Sequence, residues 1–230
     1  MLGKIKQMLG LGGKGGDGPA WYDDQLYAAK LSAFEDRLGK SADEVMAAII
    51  GWGMGGPVDL WLFPNHDQGT YFTTMQLAVP GDSNGQLRNS MGRFELAAAT
   101  RRAIERSPEP EEDEEPEDRE HTPFEQQMFD IRAMLSTIAY YSFDAVLEPN
   151  ETAELPAEDD ADTVYLVMAS LAGPDNPVRV QDEDIGIMMC IRVHKSELDF
   201  ARENGTTKLI ERLKAAGHYP YSDLDREPVA

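Results

Sequence analysis

Cysteine is almost absent, with one residue, Cys190, in 230. A lone thiol excludes an intramolecular disulfide and any zinc site built on cysteine. Long apolar runs are missing too. No stretch approaches the ~20 apolar residues that a bilayer-spanning helix needs. Base is scarce, since 21 Lys and Arg face 42 Asp and Glu for a formal net charge of −21. Direct binding to nucleic acid is disfavoured, because phosphate contacts need clustered Lys and Arg to displace counterions. The acid is unevenly spread. Glu105–Glu120 contributes −8 and Glu148–Asp162 contributes −7, which leaves an ordinary −6 for the remainder. Such a surface steers basic partners towards it.

What is present reads as an α+β protein. Residues 1–19 start with Leu2, Ile5, Met8 and Leu9 at helical spacing, then dissolve into glycines. They read as a flexible tail and not a signal peptide, having no continuous apolar core and no small-residue cleavage site, so a cytoplasmic location is expected. Residues 20–230 are expected to form one domain. Trp21 to Leu38 is a helix with Tyr27, Leu31, Phe34 and Leu38 on one face. Ser41 and Glu44 form a capping box for a second helix, turning Val45, Ile49 and Ile50 inward. The glycines that follow are not a phosphate loop, since no Lys-Ser/Thr follows and the order is helix then strand. Val58–Phe63 and Thr70–Val79 read as an antiparallel hairpin. Met91–Thr100 is ambiguous, with alanines that favour helix and alternation around Glu95 that favours strand.

The acidic, proline-bearing segment 105–120 cannot bury enough apolar surface to order itself, and reads as a solvated insertion within the domain. Thr122-Pro123-Phe124-Glu125 then supplies cap, N1 proline and reciprocal glutamate for a helix with Phe124, Met128, Ile131, Leu135 and Ile138 on one face. Thr163–Leu171 is a strand, and Pro177–Val180 a short partner. Ile185–His194 is a central strand, aliphatic on one face and half apolar on the other. Ser196 and Asp199 make a capping-box-like helix start, Gly205 stops that helix, and Leu209, Ile210 and Leu213 mark the last one, ended by Gly217. The sum is five or six largely antiparallel strands flanked by helices.

Candidate chemistry is sparse. His66-Asp67 could be half a metal site, but no second cluster joins it. His194, near Glu197 and Asp199, could be a base with an orienter. Cys190, on a core strand, reads as a small hydrophobe and not a nucleophile. Asp159, Asp160 and Asp162 lack the glycine and closing glutamate of a calcium loop. No catalytic residue, cofactor or metal is therefore assigned. Trp52, Trp61, Phe63, Tyr71 and Phe72 crowd one hairpin, mostly as core, with enough excess for an aromatic interaction patch.

Several runs, taken in order, resemble the suppressor of fused domain. They are Val58-Asp-Leu-Trp-Leu-Phe63, Tyr71-Phe-Thr-Thr-Met-Gln-Leu-Ala78, Phe94-Glu-Leu96, and Leu147-Glu-Pro-Asn-Glu-Thr152 leading to Leu155-Pro156. Tyr165-Leu-Val-Met168, Gly186–Val193, Ser196-Glu-Leu198, Gly205 through Leu213 and Ser222-Asp-Leu-Asp-Arg226 complete the set. The resemblance implies an α+β fold, places Met91–Ala97 in a strand, and implies a non-enzymatic role holding another protein. Bacterial relatives resemble immunity proteins that neutralise a toxin, which implies an immunity-type or sequestering module for a basic protein, either a toxin or a regulatory factor. Where the family reads Gly-Leu-Ser, this chain reads Gln76-Leu77-Ala78. The family's partner-facing hairpin end corresponds to Phe72 and the Pro80–Gly85 loop. The expected partner-binding residues are Trp61, Phe63, Tyr71, Phe72, Asp82 and Asn84. Two alternatives stay open, namely a hydrolase-like enzyme using His194 or His66, and a membrane-surface adaptor through residues 1–11.

Overall fold

The computed structural model describes residues 24–64, 69–79, 86–107, 120–156 and 163–230. The order is α1 (Asp24–Leu38), β1 (Val45–Met46), a 3-10 turn (Trp52–Met54), β2 (Leu60–Pro64), β3 (Thr70–Thr73) and β4 (Arg93–Thr100). Then come α2 (Pro123–Asp144), β5 (Thr152–Leu155), β6 (Val164–Ala172), β7 (Val178–Val180), β8 (Glu183–Val193), α3 (Lys195–Asn204) and α4 (Thr206–Ala215). All eight strands join one sheet, ordered β1-β2-β3-β4-β8-β6-β5, with β7 also on β8. Every pairing is antiparallel except β4 with β8. The fold is the α+β, largely antiparallel mixed sheet that the sequence pattern implies, with more strands than five or six because the short β1 and β5 add to those expected.

β8 is the central strand, and its alternation separates two cores. Ile185, Ile187, Met189, Ile191 and Val193 pack with α1, α3 and α4, through Phe34, Leu198, Leu209 and Leu213. Met188 and Cys190 face the other way, against Phe124, Ile131, Leu135 and Ile138 of α2. Among the described residues three helices thus cover one face, and a single helix covers the other. Gly186 is required at its place, since a Cβ there would lie 2.9 Å from that of Met91. α2 begins as its motif predicts. The Thr122 hydroxyl accepts from Glu125 N at 3.1 Å, and the Glu125 carboxylate accepts from Thr122 N at 3.0 Å.

Three local expectations are corrected. Ser41 and Glu44 do not cap a helix. The Ser41 hydroxyl donates to Glu35 Oε1 at 2.5 Å and Glu44 takes the Arg106 guanidinium at 2.6 Å, so neither remains for a helix N-terminus. Val45 and Met46 pair instead with Trp61 and Leu60, while Ile49 and Ile50 are exposed and not inward. The strand expected over Thr70–Val79 stops at Thr73. Finally, α3 starts at Lys195, with His194 and Glu197 in place of Ser196 and Asp199; the Glu197 carboxylate accepts from His194 N at 2.8 Å.

The early end of β3 has a cause in Glu95. This carboxylate on β4 is wholly buried and faces the α1 side. Lys30 of α1 donates to it, and to the carbonyls of Met75 and Ala78 at 2.9 Å each. The Thr74 hydroxyl donates to Glu95 Oε2 at 2.5 Å, while Leu77 N and Ala78 N donate to Oε1 at 3.0 and 2.9 Å. Residues 74–79 are wrapped around an anion and cannot continue the ladder. Burial pulls the Lys30 ammonium below its ordinary pKa, opposed by the charge and hydrogen bond of Glu95. Removing one partner of a buried ion pair strands the other. Lys30→Met is therefore expected to lower the unfolding free energy by about 3–5 kcal/mol in urea titration. Thr74→Val, which removes a donor to the buried carboxylate and the acceptor of Leu96 N at 2.9 Å, should cost about 2–3 kcal/mol.

Candidate partner-binding surface

The expected aromatic patch is core. Trp61, Phe63, Tyr71 and Phe72 are all buried. Trp61 meets Tyr27 of α1 edge-on at 5.2 Å, and Phe72 stacks on Phe124 of α2 at 5.9 Å. Successive residues of β2 and β3 point to opposite faces, and both faces are covered, so no aromatic excess is left for a partner to touch. Burial pushes the Tyr71 phenol up to about 12. Asp82, Asn84 and the Pro80–Gly85 loop lie outside the described residues, as do residues 1–19, His66 and most of the 105–120 insertion.

His194 is spent on structure. Its Nε2 lies 2.9 Å from the Arg226 carbonyl, and its backbone N–H caps α3 through Glu197. Glu197, fully buried, grips the Arg226 guanidinium with both oxygens at 2.6 and 2.8 Å and accepts from Val229 N at 2.9 Å. This latch ties the segment after α4 to the end of the central strand. A second tie lies beside it, where Asp223 accepts from Arg101 N at 2.8 Å and from the Thr100 hydroxyl. Burial lowers the pKa of His218, and Arg226 and Arg101 lower it further. Burial also pushes the Cys190 thiol up to about 12, which removes it as a nucleophile near neutrality. Among the described residues no group of three His, Cys, Asp or Glu is placed to hold a metal ion, and no helix is long and apolar enough to cross a membrane.

An open trough lies elsewhere, at the β5 end of the sheet. A cavity of 980 Å³ runs along Asn150 to Pro156. One wall is α2, through Thr137, Ile138 and Tyr141, and the other is the α3–α4 junction, through Ala201, Arg202 and Thr206. These walls come from opposite faces of the sheet. A single cavity touching both must sit at the sheet's edge, with β5 as its floor. β5 ends the strand order, with β6 on one side and, among the described residues, no strand on the other. Tyr141 and Val146 are exposed at its rim. One position away, Tyr140 stacks on Trp52 at 4.2 Å beneath the loop bearing exposed Ile49, Ile50 and Met54. Sequence reasoning placed Leu147–Pro156 only by resemblance. The polar-apolar alternation of Thr152, Ala153, Glu154 and Leu155 is the signal that marks a half-covered strand there.

The described residues thus form a mixed sheet with helices on both faces and an open trough at one edge, with His194 and Cys190 held in structural roles. Residues 57–227 match the model of the Suppressor of fused protein (SUFU) family, and the chain belongs to that family, one of protein-binding regulators. Two solved structures share the fold. The first, described as the Sufu-Fu complex, has a TM-score of 0.54 and 18% identity over 87% of this chain and 92% of that one. The second, Drosophila Suppressor of Fused, has a TM-score of 0.54 and 17% identity over 89% of this chain. This chain spans 50% of that Drosophila protein. No curated protein matches the sequence.

The Glu197 latch predicts an acid-sensitive stability. Burial alone would raise the Glu197 pKa, but the bonds from Arg226, Val229 and His194 prevail and hold the carboxyl below its usual value. A lowered folded pKa contributes stability that is present above the unfolded value of about 4.3 and is lost as pH falls through the folded value. Glu197→Gln should lower stability at pH 7 by about 3 kcal/mol. It should also flatten the dependence of the urea midpoint on pH below about 4.3.

Proposed function

We propose that this chain is a non-catalytic, cofactor-free binding module of the sequestering or immunity type, which holds and masks a basic partner protein in the cytoplasm. Residues 20–230 act as one unit in this reading, with 105–120 as a solvated acidic insertion. Family membership over residues 57–227 supports the binding role. The solved relative described as the Sufu-Fu complex is itself an assembly with a second protein. The observation that carries the choice of partner is the charge, −21 overall with −15 of it in two short segments. Acidic segments of this density accelerate encounter with a cationic protein and hold it through screened Coulomb attraction. The structural duties of His194 speak against catalysis at that residue, since its imidazole is engaged with the Arg226 carbonyl and its backbone N–H with Glu197.

The test is the salt dependence of affinity for a partner isolated on the full-length chain, measured by titration calorimetry. Between about 50 and 500 mM salt the Debye length shortens roughly threefold, so affinity is expected to fall steeply. A salt-independent affinity overturns the acidic-mask reading while leaving a binding role. His66→Ala combined with His194→Asn is expected to leave the affinity unchanged.

A further inference from the structure

A second cavity, of 320 Å³, lies between the end of β4 and the segment after α4, and shares no lining residue with the trough. Arg101 and Arg102 form one wall, and His218, Tyr221 and Arg226 form the other. Backbone bonds fix the second wall and tie it to the first. His218 N donates to the Leu213 carbonyl at 2.7 Å, Tyr221 N to the His218 carbonyl at 2.9 Å, and Ser222 N to the Ala99 carbonyl at 2.8 Å. Most of the charge here is met. Glu197 grips Arg226, Asp225 takes Arg102 at 2.8 Å, and Asp223 accepts from the Thr100 hydroxyl and Arg101 N. The Arg101 side chain is the exception, bonding to no carboxylate among the described residues. Its guanidinium lies over the Tyr221 ring at 5.0 Å, with Nη2 3.4 Å from His218 Nδ1. A guanidinium only donates, so the imidazole accepts there, neutral and with its proton on Nε2. Arg226, which lines the same cavity, has a side chain only 8% exposed and an Nε with no hydrogen-bond partner.

We propose that this cavity binds a carboxylate, held by the Arg101 guanidinium on one side and a protonated His218 on the other. The site is separate from the protein-binding role and does not rest on it. On binding, Arg101 releases Nδ1, the imidazole takes up one proton from solvent, and both ring nitrogens become donors. Nε of Arg226 is a further, buried donor to the same anion. Charge sets the class of ligand. Arg101, Arg102 and Arg226 balance Asp223, Asp225 and Glu197, so the surroundings are neutral until His218 is protonated. One proton and one monoanion keep them neutral, whereas a dianion leaves unmatched charge in a partly buried space. The two oxygens of a carboxylate also fit the guanidinium fork. The volume limits the rest of the ligand to a small acid or the last residue of a peptide. Burial, then Arg226 and Arg101, hold the His218 pKa down against a smaller effect of Glu197, so the field at this imidazole attracts an anion. Lys214, at the end of α4, is turned onto the Tyr219 ring at 4.7 Å.

The test is a titration of the full-length chain with propionate at constant ionic strength, following the His218 ring protons by NMR. A bound carboxylate raises the His218 pKa, so affinity increases as pH falls through the bound-state value and levels off below the free-state one. A rise of about one unit is expected, and with it binding roughly tenfold tighter near about pH 5.5 than near about pH 8. Propionamide should leave the pKa unchanged, and sulfate, a dianion throughout this range, should bind more weakly than propionate. Arg101→Gln, at an exposed side chain, should weaken propionate about tenfold with the melting temperature retained. His218→Asn should keep residual binding and remove its pH dependence, which frees the test from the effect of either substitution on folding. Acetyl-trialanine with a free C-terminus separates the two sources of the group. Binding tighter than that of propionate assigns the carboxylate to a peptide end, and equal or weaker binding assigns it to a free acid; both support the site. An unmoved His218 pKa at the highest soluble propionate concentration overturns the proposal. So does an equal effect of propionamide or sulfate, or full, pH-dependent propionate affinity in either variant.

Discussion

One anion sets the terms for half of this structure. Glu95 sits in the middle of the sheet with no access to water. An ionised carboxylate in such a place is far more costly than any single contact can offset, so every oxygen lone pair must be met. Lys30, Thr74, Leu77 and Ala78 meet them. The consequences spread outward. β3 ends at Thr73 because the next residues bend to present N–H groups to the carboxylate. α1 is held against the sheet by its own buried ammonium, whose remaining protons go to the Met75 and Ala78 carbonyls. Where the chain reads Gln76-Leu77-Ala78, the backbone N–H groups of Leu77 and Ala78, and not their side chains, bind the carboxylate.

Elements whose signals are local were legible in the sequence. α2 has its capping box, proline and apolar stripe within one continuous stretch, and β8 announces burial on both faces by its own composition. Signals that need a distant partner misled. Ser41 and Glu44 have the spacing of a helix start, but Glu35 and Arg106 claim them. Trp61, Phe63, Tyr71 and Phe72 looked like an excess because the hairpin alone cannot bury them, and only α1 and α2, packed on opposite faces, make all four core. Lys30 was invisible for a related reason. A lysine in an amphipathic helix reads as solvated until the buried acid opposite it, 65 residues later, is known. The trough was the least legible feature, since its floor and two walls come from three separate regions, and no one region carries a mark of the cavity.

The layers explain why the open edge is where it is. Among the described residues, α1, α3 and α4 share one face of the sheet, and α2 serves the other. At the far end the two-residue β1 pairs with β2 as the other edge, and in the middle β4 and β8 are covered on both sides. β5 is reached last by each layer. α2 passes it through Thr137 to Tyr141, and the α3–α4 junction passes it where Gly205, at φ 98°, breaks the helix. Helices that flank an edge without covering it leave backbone donors and acceptors exposed in a shaped space.

An exposed strand edge is ordinarily a hazard, because it pairs with any other edge, including its own copy. β5 limits that hazard by being four residues long, by entering through a bulge, and by lying in a run of seven acids and no base. The first two restrict how long a strand can add. The third sets like charge against like wherever two copies of this edge approach one another.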